Sequence, residues 1–177
     1  MVKPSYATKL LMPRISVDTL QAAIERESEM SLQDKVHCME EIRAAQPVLF
    51  ESIEIQSQLG NELEDMQVLF DQLLTIHLAL ENVNIRLQPV TRELHLSELR
   101  KFSERMNFTR DLDAAQYQQV MQQYHNNHAE LPLLLWAQKR MIDAGFADFG
   151  PAPVKHLMLA GVTLVNCVAV SEAMGAD

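Results

Sequence analysis

Residues Asn61 to Gln88 write a single long amphipathic helix, and no other segment constrains the fold as strongly. Met66, Leu69, Leu73, Ile76, Leu80, Val83 and Leu87 recur at alternating spacings of three and four. That is a heptad seam, which fits a helix in a bundle or a coiled coil. His77, Glu81 and Asn84 stand beside the seam rather than opposite it. At about 100° per residue they project within roughly 60° of Met66, on the side that faces a neighbour. Buried polar groups need partners. This ridge is therefore a candidate ligand site. Alternatively, Glu81 and Asn84 are polar contacts that fix register and oligomer state.

The rest of the chain reads as helix too. Five Gly and ten Met in 177 residues, with many Gln, Leu, Ala and Glu, favour helix nearly throughout. No run of alternating β-branched residues bounded by turn signals is present. Asp18 is expected to cap a first helix over residues 19–30. Ser31 caps a second, with Asp34 in its first turn. Pro47 should kink that helix, and Gly60 should stop it. A fourth helix covers Arg92–Met106. Asp113 and Gln116 form a capping box for a fifth, and Pro132 opens a short sixth. Phe146–Pro153 reads as a loop. Val154–Met174 is the last helix, apolar nearly all round from Leu157 to Val170. Such a helix belongs at the centre of a bundle or in an interface. The expected architecture is all-α: an arm over residues 1–17, then one helical bundle of six to seven helices over 18–177, its apolar C-terminal helix at the centre.

The apolar stretch of the last helix is fourteen residues and includes Thr163 and Asn166. It is short of the roughly 18 to 20 that a membrane span needs. No signal-peptide pattern opens the chain. Cys38 and Cys167 lack metal or redox spacing and read as buried free thiols in a reducing cytosol, with a disulfide between them left open. These points make the expected location cytoplasmic.

Charge is uneven. Between Arg43 and Arg86 there is no Lys or Arg, while seven Asp or Glu occur. Then Arg86, Arg92, Arg100, Lys101, Arg105 and Arg110 follow within 25 residues. A net charge of −9 disfavours direct binding to nucleic-acid phosphates. It allows a basic protein partner, with Glu51, Glu54, Glu62, Glu64, Asp65 and Asp71 as the interaction surface.

No catalytic residues are indicated. There is no nucleophile elbow, Walker motif or dinucleotide fingerprint. His77, His95 and His128 each fall on the apolar line of their own helix, with Glu81 one turn beyond His77. If those helices are neighbours, these four side chains converge on a site that suits zinc or non-haem iron. His125 and His128 form a local His-x-x-His pair, which more simply frays into water.

The leading expectation is a helical interaction module (adaptor, chaperone or regulator) that offers an acidic surface to a protein partner. More apolar helix surface than one bundle covers makes a homodimer the expected state. The alternative is a bundle that binds a metal or small ligand through inward-facing His and Glu, with enzymatic activity left open. A third reading is an acidic mimic of nucleic acid.

Overall fold

The computed structural model describes residues 12–146 and 152–174, without the side chains of 152–154. Residues 1–11 of the expected arm, most of the expected loop before the last helix, and the expected stop at Gly175 lie outside the described residues. The fold is all-α, with eight helices among the described residues. They are α1 (Val17–Glu29), α2 (Leu32–Ala45), α3 (Pro47–Glu54), α4 (Leu63–Asn82), α5 (Arg92–Thr109), α6 (Ala114–Asn126), α7 (Leu131–Asp143) and α8 (Ala152–Val170). A 3₁₀ segment, Ile55–Leu59, extends α3. The count exceeds six to seven because Pro47 splits the second expected helix into α2 and α3.

Local chemistry sets the helix starts. Ser31 and Asp34 bond reciprocally as a capping box, and so do Asp113 and Gln116. The first cap is Ser16 rather than Asp18: its hydroxyl accepts from the Thr19 amide at 3.1 Å, and Asp18 falls in the first turn. Asn61 does not cap α4. Glu62 holds that position without a side-chain bond, and Asn61 turns inward to donate to Gln56 at 3.3 Å.

Three helix ends share one closure. Gly60, Asn84 and Gly145 have φ of 88°, 54° and 85°. After each, the next amide reaches back to the carbonyl five residues earlier: Asn61 to Gln56, Ile85 to Leu80 and Phe146 to Met141. This is the Schellman motif, which needs a residue that tolerates the left-handed region. Asn84 is therefore a cap, not a polar residue of the helix seam. It is exposed and lies past the end of α4. The seam itself is buried from Met66 to Leu80, so the helix is real but stops at Asn82, short of the expected Gln88.

Two helices carry the core. Nearly all of α8 from Leu157 to Val168 is buried, and it packs against α4, α5 and α7. Helix α4 in turn supports α1, α2 and α3. The α4–α8 crossing is close at Gly161. A β-carbon there would come within 3.2 Å of Leu69 and 2.8 Å of Met141, and the Gly161 carbonyl accepts from Gln72 at 2.7 Å.

A charged latch joins the two ends of the fold. The Glu130 carboxylate is 1% exposed and accepts from the Arg14 amide (3.2 Å), the Arg14 Nε (2.8 Å) and the Ile15 amide (3.1 Å). The other guanidinium nitrogens donate to the carbonyls of Ser171 (2.9 Å) and Val168 at the end of α8. Beyond α8, the chain runs antiparallel to residues 86–88. The Gln88 amide bonds Glu172, and the Met174 amide bonds Arg86 at 2.7 Å.

Two stability outcomes follow from these contacts. Asn84→Leu forces a branched side chain into the left-handed region and should cost about 1–2 kcal/mol, whereas Asn84→Gly should be nearly neutral. Glu130→Ala leaves Arg14 among carbonyls without its anion and should cost about 3–5 kcal/mol. Urea unfolding of each variant measures both.

Candidate functional site

The expected meeting of His77, His95 and His128 does not occur as one site. Helix α5 packs chiefly on α8 and α3 rather than along α4. Among the described residues, one group offers three metal-type ligand atoms within 4.8 Å of one another: Glu41, His77 and Glu81. His95 and His128 are not in it.

His128 has a structural task instead. Its Nδ1 lies 3.2 Å from the Glu130 amide, and its Nε2 lies 3.1 Å from Asn166 Oδ1. An amide can only donate, so Nδ1 is the acceptor and Nε2 carries the proton. Asn166 Oδ1 also accepts from the Tyr124 hydroxyl at 2.9 Å. Arg105 covers the Tyr124 ring at 3.7 Å from its centroid. Through Glu130 this chain of bonds runs on to the Arg14 latch. It connects α5, α6, α7 and α8 and explains why Asn166 is tolerated in the most apolar helix. Burial pushes the His128 imidazole below its ordinary value, against the opposing pull of its bonds to Asn166 and the Glu130 amide. Burial alone does the same to His95. The Cys167 thiol is pushed up to about 12, first by burial and then by the charge of Glu98. Both cysteines are free.

The acidic surface is also rearranged in space. Glu51 pairs with Arg92 at 3.0 Å, Glu54 with Arg43 at 3.3 Å and Asp71 with Arg140 at 3.0 Å. Glu62, Glu64 and Asp65 gather at the start of α4, where acids offset the helix dipole. Half of the expected interaction surface is thus already matched by cations of the same chain.

A wide opening lies elsewhere, between α5, α6, α7 and α8. It is a cavity of about 880 Å³. Met106, Met121, Met158, Leu159 and Val162 give it an apolar floor. Arg105, Arg110, His125, Lys155 and His156 stand in its walls, and no Asp or Glu does among the described residues. The reason for the space is α6. That helix has no fully buried residue, and Tyr124 and a His125–Gln138 bond of 3.1 Å are among its ties to the body. The His156 Nδ1 in the wall is buried and has no hydrogen-bond partner. An orphaned polar atom of that kind costs on the order of 1–3 kcal/mol. The periodicity of α6 hinted at none of this. The one available signal was the basic run from Arg100 to Arg110, which places two cations on this wall.

No protein-family model, curated protein or solved structure matches this chain. No described helix is long and apolar enough to cross a membrane.

The pH dependence of stability has a definite sign. In the unfolded chain His95 and His128 titrate near 6.5, and in the fold they titrate lower. Their contribution is complete above that value and is lost as pH falls through the folded values. Tm should therefore drop as pH falls below about 6.5. Scanning calorimetry should find a shallower drop in His128→Gln, whose side chain does not titrate.

Proposed function

We propose that this protein is a ligand-binding helical bundle whose α5–α8 cavity takes an amphipathic anion: an apolar chain with a carboxylate or phosphate head. The observation that carries this reading is the charge of the cavity. In a chain of net charge −9, the described walls of this opening hold cations and no carboxylate. Its volume is in the usual range for small-molecule sites. The floor offers methionines, which adapt to flexible apolar chains. Each methylene buried contributes about 0.8 kcal/mol. Arg110 and Lys155 supply the charge-assisted bonds that orient a head group. The loosely held α6 supplies a way in, because an element with few buried contacts opens at low cost.

A second reading, the protein-interaction module, is supported by one feature. An apolar groove of about 330 Å³ between α2, α3 and α4 is lined by Val36, Met39, Phe50 and Phe70 and flanked by Leu32, which is 79% exposed. Its rim mixes Lys35 and Arg43 with Glu40 and Asp71, so it favours neither sign of partner. The cavity makes the more specific chemical demand, and the ligand reading is preferred for that reason.

The test is thermal unfolding with dodecanoate, dodecyl phosphate or dodecanol. Ligand at a hundred times Kd adds about 2.7 kcal/mol of stability. The anionic amphiphiles should raise Tm, the alcohol should do so weakly, and Lys155→Glu with Arg110→Glu should abolish the difference. Equal stabilisation by alcohol and anion, or no stabilisation by either, would exclude this function. Met121→Trp, which fills the floor from α6, should block binding without removing any charge.

A further inference from the structure

The polar ridge that stands beside the α4 seam has a partner on α2, well away from the cavity. His77 and Glu81 are one turn apart on α4 and share a face. The His77 Nε2 lies 3.4 Å from Glu81 Oε1. That nitrogen is buried and has no hydrogen-bond partner, so the contact is an approach rather than a bond. Glu41 reaches the same point from α2, with all three ligand atoms within 4.8 Å of one another. The far oxygen of Glu81 is held by Arg26 at 3.1 Å. This bond leaves the near oxygen turned to His77. On the outer side His37 approaches Glu41 at 3.5 Å.

Two carboxylates converging on one imidazole nitrogen that lacks a donor is an arrangement short of a cation. Neither flanking base fills it: Arg26 engages the far side of Glu81, and His37 approaches from outside. In a tetrahedral site with bonds of about 2.0–2.1 Å, neighbouring ligand atoms lie about 3.3 Å apart. The His77–Glu81 approach already has that spacing. Glu41 is exposed and has the freedom to close the remainder by rotamer change. We propose that Glu41, His77 and Glu81 form a site for a divalent transition-metal ion of the zinc type, with a fourth position open to water. An imidazole beside two carboxylates selects zinc or cobalt over magnesium, which prefers an all-oxygen octahedron. Arg26 is then the group that orients a ligating carboxylate, as outer partners of metal sites commonly do. Cys38, one turn before Glu41 on α2, is close enough for its thiol to feel the charges of Glu41 and Glu81, but it is outside the ligand group.

The experiment uses the full chain, stripped with a chelator and dialysed, then titrated with zinc chloride or cobalt chloride. One ion per chain is expected, unaffected by excess magnesium chloride. His77→Ala and Glu81→Gln should each weaken binding at least tenfold, while His95→Ala leaves it unchanged. Circular dichroism of each variant checks that the fold persists, which the partly exposed positions of His77 and Glu81 favour. As a second readout in the native chain, zinc should shift the ring ¹⁵N resonances of His77 and not those of His95. No saturable binding, full affinity in both site variants, or an intense thiolate-to-cobalt absorption from Cys38 would overturn the assignment.

Discussion

A single carboxylate closes this molecule. Glu130 stands at the entry to α7 and pairs with Arg14 at 2.8 Å. Without the Arg14 guanidinium, the buried carboxylate would keep backbone amides as partners but no counter-charge. Without Glu130, the guanidinium would lie among carbonyls with no anion. Each is tolerable because the other is present and because the two terminal guanidinium nitrogens each donate to a carbonyl at or just past the end of α8, Val168 and Ser171. Carbonyls at a helix end have no intrahelical donors of their own. The latch therefore satisfies the end of one helix, holds the start of another, and pins Ile15 into the core in one arrangement. The His128–Asn166–Tyr124 bonds extend from it, so the polar groups between α5, α6, α7 and the end of α8 form one connected system.

Elements fixed by neighbours in sequence were legible in advance. The Ser31 cap, the Asp113 capping box, the break at Pro47, the stop at Gly60 and the buried seam of α4 all depend on residues a few positions apart. The central place of the C-terminal helix followed from its all-round apolarity. What sequence could not supply was depth and neighbourhood. His77, His95 and His128 share a helical phase but not a common neighbour, and phase says nothing about which helices touch. Asn84 was misread because seam periodicity continues across a position where the backbone has already turned left-handed. The latch spans 116 residues of sequence, and no local pattern encodes it.

Charge illustrates the same point in reverse. The acids of the first half and the bases that follow look segregated along the chain. In space, Arg92 comes back to Glu51 and Arg140 to Asp71, so part of the segregation is a device for joining distant elements. Such exposed or half-exposed pairs contribute little energy each, about 0–1 kcal/mol. The cations left facing inward, at the α5–α8 cavity, are the more informative remainder.

The separation between Arg14 and Glu130 has a consequence for synthesis. Arg14 leaves the ribosome 116 residues before its carboxylate exists, and 157 before the last carbonyl it bonds. At about 5–20 residues per second, the wait is on the order of ten seconds. During that time α1 to α4 are made and can pack on one another, but the side of α4 that meets α8 has nothing to cover it. The nascent chain must spend that interval with this one apolar face open, a state in which association with a chaperone or a second nascent copy competes with folding.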